Sequence, residues 1–168
     1  MTKIAIIYGS STDNTKNAAE EIAGKLTDMD VNIMDVSAVD VNNLGDYTSL
    51  ILGTSTWGLG DLQDDWDSMI NKFASAYLNG KTVALFGLGD SGSYPDTFVD
   101  GMGILYEAIK DKGINLIGQV STDGYDFDES KAVVDGKFVG LALDEDNESD
   151  KTDSRISDWI NMIKPQLK

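Results

Sequence analysis

Apolar residues fall along this chain in two alternating patterns. Short runs, Lys3 to Tyr8, Val31 to Val36, Ser49 to Gly53, Thr82 to Phe86 and Asn115 to Val120, are rich in β-branched residues and nearly continuous in hydrophobicity, as strands buried on both faces are. Between them, Thr15 to Leu26, Trp66 to Leu78, Thr97 to Lys112 and Thr152 to Ile163 repeat their apolar positions every three or four residues, the spacing of amphipathic helices. Trp66, Met69, Ile70, Phe73 and Tyr77 share one predicted face, and Ile156, Trp159, Ile160 and Ile163 another, so these aromatics are expected in the core. Gly113 stands where the third helix needs a left-handed end, and Pro165 helps to stop the last one. Five strands and about five helices in this alternation predict an α/β fold, a parallel sheet covered on both faces.

One stretch breaks the rhythm. Residues 121–137, STDGYDFDESKAVVDGK, separate Asn115 to Val120 from Phe138 to Leu143 and are rich in Asp and Gly. We read them as an excursion inserted into the last strand, serving either as an interaction surface or as a flap over a sheet edge. Residues 1–168 then form a single domain carrying an insertion at 121–137.

The chemistry concentrates where strands end. The first strand runs into Gly9-Ser10-Ser11-Thr12-Asp13-Asn14-Thr15 and straight on into a helix. Backbone N–H groups and the positive end of the helix dipole make such a turn an anion site, to which hydroxyls add donors. A monoester phosphate suits it; a nucleoside triphosphate does not, because the Gly-Lys-Ser/Thr ending is missing. The competing reading is a redundantly capped helix start. A receiver domain is set aside as well, since the first and third strands end in Tyr8-Gly9-Ser10 and Gly53-Thr54-Ser55 rather than in aspartates.

Gly87-Leu88-Gly89-Asp90-Ser91-Gly92 matches the dinucleotide pattern, but on the fourth strand and running into Tyr94-Pro95, so no helix starts inside it as the fingerprint requires. Trp57, in the loop Thr54-Ser55-Thr56-Trp57-Gly58-Leu59-Gly60-Asp61, and Tyr94 in the next loop belong to no periodic segment. Each alone reads as a loop anchor. Together, at adjacent strand ends beside a phosphate turn, they read as the two faces of a slot for a planar aromatic ligand.

Composition narrows the field. The chain has 168 residues, no Cys and no His, and a net charge of −16 spread over both halves. Thiol redox chemistry, zinc fingers and Ser-His-Asp catalysis are therefore excluded. The acidic field repels nucleic acid and anionic lipid and favours either a basic protein partner or plain solubility. Met1-Thr2-Lys3 leads into only five apolar residues, too few for a signal core or a membrane span, so a cytoplasmic protein is expected. Asn147-Glu148-Ser149 matches the glycosylation pattern by chance on this reading.

Gly9-Ser10-Ser11-Thr12-Asp13-Asn14-Thr15, Thr56-Trp57-Gly58, Gly87-Leu88-Gly89-Asp90 with Tyr94, Ser121-Thr122-Asp123-Gly124-Tyr125 and Gly136-Lys137-Phe138-Val139-Gly140-Leu141 resemble the flavodoxin family over essentially the whole chain. The last two motifs are similar to its long-chain subgroup. The resemblance implies a three-layer doubly wound sandwich with a five-stranded parallel sheet in the order 2-1-3-4-5. It also implies one noncovalent FMN, with its phosphate held by Ser10, Ser11, Thr12, Asp13, Asn14 and Thr15. The ring would lie between Trp57 and Tyr94, in contact with Ser55, Thr56, Gly58, Leu88, Gly89 and Asp90, with Asp146 near the ribityl chain. No catalytic and no metal-binding residue is implied. Two positions depart from the pattern: Asp13 stands where many members have glycine, and Ser55 where many have proline. A carboxylate beside a phosphate weakens FMN binding unless it turns outward.

The implied activity is that of an electron carrier rather than an enzyme, cycling its flavin mainly between semiquinone and hydroquinone. Charge of −16 and aromatic faces lower the second potential, and a flipping Gly58-Leu59 peptide offers a carbonyl to the protonated semiquinone. An FMN-dependent NAD(P)H reductase of the same fold is the rival, and a cofactor-free interaction module a third reading. Implied partners are redox proteins with basic docking faces, flavodoxin or ferredoxin-NADP reductases as sources and ferredoxin-dependent enzymes as sinks, meeting a monomer. Asp61, Asp64, Asp65 and Asp67 with Asp123, Asp126, Asp128 and Glu129 form either the docking face or merely a solvated surface.

Overall fold

Ile4, Ala5, Ile6 and Ile7 are wholly buried because the strand they form lies inside the sheet. The computed structural model describes residues 3–168, so the Met1-Thr2 start lies outside the described residues. The chain runs β1 (Lys3–Gly9), α1 (Asn14–Gly24), β2 (Asp30–Asp35), β3 (Ser49–Trp57), β4 (Asp61–Leu62), α2 (Asp64–Ser75), β5 (Thr82–Leu88), α3 (Asp100–Ile109), β6 (Asn115–Ile117), β7 (Val120–Ser121), β8 (Val133–Val134), β9 (Lys137–Phe138), β10 (Leu141–Leu143), α4 (Glu145–Glu148) and α5 (Thr152–Ile163). The main sheet is ordered β2-β1-β3-β5-β10, each neighbouring pair parallel. Counted as five strands, this is the order 2-1-3-4-5, with the fifth strand in two pieces. β6 pairs with Thr82 to Ala84 at the start of β5, and β10 with Phe86 to Leu88 at its end.

Alternation along the strands divides the core into two layers. Ala5, Ile7, Leu50, Leu52, Val83 and Leu85 pack with Trp66, Phe73, Met102 and Leu105 of α2 and α3. Ile4, Ile6, Ile51, Ala84 and Phe86 pack with Ala19, Ile22, Ile156 and Trp159 of α1 and α5. The two buried indoles each satisfy their N–H at a backbone carbonyl, Trp66 on Gly53 at 2.7 Å and Trp159 on Gly118 at 2.9 Å, as buried polar groups must.

Three expectations need correction. Tyr77 is not core: α2 ends at Ser75, Ala76 turns extended, and Tyr77 is 81% exposed. Val120 and Phe138 leave the main sheet and pair with each other in a three-stranded antiparallel unit, β7-β9-β8. The unit packs on the domain through its aromatics, the ring centroids of Tyr125, Phe127 and Phe138 lying within 6.2 Å of that of Phe98, just before α3. The strands also outrun their apolar stretches, β3 reaching Trp57 and β5 reaching Leu88 through the pair Ser55 to Leu88. Thr54, Ser55, Thr56 and Trp57 are thus strand rather than loop, and the turn itself is Gly58-Leu59-Gly60. Gly113 takes the expected left-handed conformation, φ 73°.

Candidate functional site

In an open α/β sheet the crevice for ligands lies beyond the carboxyl ends of the strands, where the strand order reverses. Here a cleft of about 420 Å³ opens there, lined by Thr12, Asn14, Ser55, Thr56, Trp57, Gly58, Leu88, Gly89, Asp90, Tyr94, Glu145 and Asp146. The ends of β1, β3, β5 and β10 supply them all. No lysine or arginine lines it, so any phosphate is held by neutral donors.

Of the expected site residues, Ser10, Ser11, Asp13 and Thr15 do not line the cleft. Asp13 is exposed, sits at φ 67° and makes no side-chain bond at the start of α1, so the capped-start reading fails. Among the described residues no side chain caps the first N–H groups of α1. Ser10 Oγ and Thr15 Oγ1 are buried without a hydrogen-bond partner among the described residues, and Thr15 is only 1% exposed. Buried hydroxyls without partners are costly, and here two of them flank an uncapped helix start. A phosphate would satisfy both hydroxyls and the N–H groups together. Ser11 Oγ instead accepts from Gln63 Nε2 at 3.3 Å.

The turn after β3 is set by its glycines. β4 folds back antiparallel on β3 with Trp57 opposite Asp61, and Gly58 at φ 51° and Gly60 at φ 97° make that reversal at little steric cost. Gly60 N–H donates to the Trp57 carbonyl at 3.2 Å. Thr56 Oγ1 accepts from Gly101 N–H at 2.8 Å, tying the turn to α3. Trp57 and Tyr94 are 40% and 41% exposed although both line the cleft, an arrangement that leaves large aromatic faces in water until something covers them.

The third wall is acidic. Carboxylate oxygens of Asp90, Asp144 and Asp146 lie within 4.8 Å of one another. Wholly buried Asp144 caps α4 through Asn147 N–H and accepts from both the N–H and the hydroxyl of Ser91. Burial pushes the Asp90 carboxyl up, but hydrogen bonds from Ser93 and Asn147 outweigh it and hold the group below the ordinary range. Burial and then the charges of Asp90, Asp144 and Glu145 push Asp146 up. Asn147 Nδ2 donates to Asp90 Oδ1 at 2.8 Å, so this side chain has an internal role.

Sequence reasoning missed Glu145, Asp144, Asn147 and Gln63. Gln63 is 1% exposed; its Oε1 caps α2 at the N–H groups of Asp65 and Trp66, while its Nε2 reaches Ser11. A polar residue just before the Asp-rich start of α2 was the available signal. For Asp144 and Glu145 the signal was their place after the last strand. The dinucleotide match at 87–92 has no helix within it, since α3 begins only at Asp100.

Set beside known proteins, the chain matches the flavodoxin family profile over residues 6–159. It is 48% identical to a flavodoxin of Synechocystis sp. over 168 residues, covering 99% of each chain. With a flavodoxin of Nostoc sp. it shares 47% over 165 residues, covering 98% of this chain and 97% of that one. Among solved structures, a Fusobacterium nucleatum flavodoxin bound to flavin mononucleotide superposes with a TM-score of 0.94 at 35% identity, covering 100% of both chains. With a matched profile spanning most of its length and relatives near half identity, this chain belongs to the flavodoxin family.

Proposed function

We propose that the cleft holds one noncovalent FMN and that the protein carries single low-potential electrons between redox proteins, with no substrate of its own. The observation that carries this is the pair of buried hydroxyls, Ser10 and Thr15, without a partner among the described residues, at a helix start with no side-chain cap beside two half-exposed aromatics. When bound, FMN supplies a ring that accepts and releases electrons one at a time.

Each wall of the cleft has a task. Thr12 and Asn14 of the lining, with the buried hydroxyls of Ser10 and Thr15 at the start of α1, would hold the phosphate with hydroxyl and amide donors, and Ser11 keeps the turn fixed to Gln63. Trp57 and Tyr94 would cover a bound ring, Ser55, Thr56, Leu88 and Gly89 would line its surroundings, and the Gly58 carbonyl would offer an acceptor at the mouth of the cleft. Asp90, Asp144, Glu145 and Asp146 oppose negative charge added to a group bound there, the more so if that group covers Trp57 and Tyr94 and displaces water, so a cofactor held here would have its potential lowered.

Exposed Asp61, Asp64 and Asp67 beside the Trp57 turn, with Asp123, Asp126, Asp128 and Glu129 of the insertion, form the docking face for basic partners. A reductase of the ferredoxin-NADP type fits as electron source and ferredoxin-dependent enzymes as sinks. No helix among the described residues is long and apolar enough to cross a membrane, and we place the monomeric carrier in the cytoplasm. The test is to reconstitute the protein with FMN and mix it anaerobically with NADPH, with and without such a reductase. Reduction only when the reductase is present is expected. Fast reduction by NADPH alone, or failure to bind FMN, overturns the proposal.

A further inference from the structure

We infer that Ser55 is a positioning residue, whose hydroxyl fixes the Trp57 indole in the orientation the cleft needs. Ser55 Oγ accepts from Trp57 Nε1 at 2.8 Å, inside the normal range for a well-formed N–H···O bond. The inference rests on the reading that Trp57 covers one face of bound FMN.

The two ends of this bond are held very differently. Ser55 is 9% exposed, and its backbone pairs with Leu88 of β5. Trp57 is the last residue of β3, 40% exposed, and beyond it the chain turns at Gly58. Residues two apart in a strand point to the same side, so the indole can reach back to the serine. One side-chain bond then anchors a loosely packed ring to a rigid strand.

The three tryptophans make the contrast plain. Trp66 and Trp159, both buried, donate to backbone carbonyls that no substitution removes. Trp57 alone donates to a side chain. Without the Ser55 hydroxyl its N–H turns to water at little cost to folding, but the ring gains rotamers that ligand binding must remove again. Ordering one such side chain weakens binding by roughly threefold to tenfold.

The experiment is a double-mutant cycle on the FMN-reconstituted protein, with Ser55→Ala, Ser55→Thr, Trp57→Phe and Ser55→Ala combined with Trp57→Phe. FMN dissociation constants come from flavin fluorescence, and ring geometry from visible circular dichroism. Ser55→Ala is expected to weaken binding roughly threefold to tenfold and to alter the visible dichroism. Ser55→Thr, which keeps the hydroxyl, restores both. In the Trp57→Phe background Ser55→Ala has no further effect, because phenylalanine has no N–H to place. Unchanged affinity and dichroism in Ser55→Ala, or an equal loss in the Trp57→Phe background, overturns the inference. If Trp57→Phe itself changes neither affinity nor dichroism, the reading of Trp57 as a cover for the ring fails, and the inference falls with it.

Discussion

Thr15→Val separates what the phosphate turn costs when empty from what it contributes when filled. The side chain is 1% exposed and its hydroxyl has no partner among the described residues. Valine keeps the shape and removes the oxygen. An unsatisfied buried hydroxyl costs about 1–3 kcal/mol, so the variant without FMN should be as stable as the parent or more so, by up to about 1 kcal/mol after imperfect packing. With FMN bound the sign reverses. A hydrogen bond to a charged acceptor is worth about 1.5–3 kcal/mol, and its loss weakens FMN binding roughly tenfold to a hundredfold. Thermal unfolding of the FMN-free protein gives the first quantity and calorimetric titration with FMN the second. Riboflavin, which lacks the phosphate, should bind parent and variant equally. Unchanged FMN affinity, or an equal loss for riboflavin, would refute the assignment of Thr15 to the phosphate.

Other consequences follow from single positions. Asp13 holds φ 67°, so Asp13→Gly should relieve strain of about 1 kcal/mol and tighten FMN binding; Asp13→Asn should tighten it by charge alone, and no tightening in either would mean the carboxylate points away from the phosphate. Gly58→Ala adds a side chain at φ 51° and should narrow the separation of the two one-electron potentials; identical potentials would remove Gly58 from the redox device. Asp146 has its carboxyl pushed up, first by burial and then by the charges of Asp90, Asp144 and Glu145, so its ionisation opposes folding above its folded pKa and ceases to matter below the unfolded value of about 4. Asp146→Asn should therefore stabilise the protein at pH 7 and not at pH 3, and equal effects at both pH values in chemical denaturation would contradict this.

The parts of the site carried by one contiguous segment could be read before any coordinates. The hydroxyl turn before α1 announced itself because strand, turn and helix follow one another directly, and Trp57 stood out because nothing periodic claimed it. Asp90 and Asp146 were expected, but the contacts that join them to Asp144 and Asn147 could not be read this way. Asp144 and Asn147 reach Ser91 and Asp90 only because β10 pairs with the end of β5, across the whole of the insertion. Gln63 was hidden for the same reason, its contact with Ser11 spanning 52 residues. Tyr77 was misplaced because helical periodicity continues in the sequence past Ser75, where the backbone itself turns extended. The strand ends ran longer than expected because pairing to β4 and β5, rather than hydrophobicity, sustains β3 through Ser55, Thr56 and Trp57.

An anaerobic reductive titration of the FMN-reconstituted protein, followed by visible absorption and potentiometry, tests the carrier function most directly. Two resolved one-electron steps are predicted, the second well below that of free FMN because Asp90, Glu145 and Asp146 line the cleft and a carboxylate oxygen of buried Asp144 lies within 4.8 Å of those of Asp90 and Asp146. A single two-electron step at the potential of free FMN would contradict the assignment of this cleft to one-electron transfer.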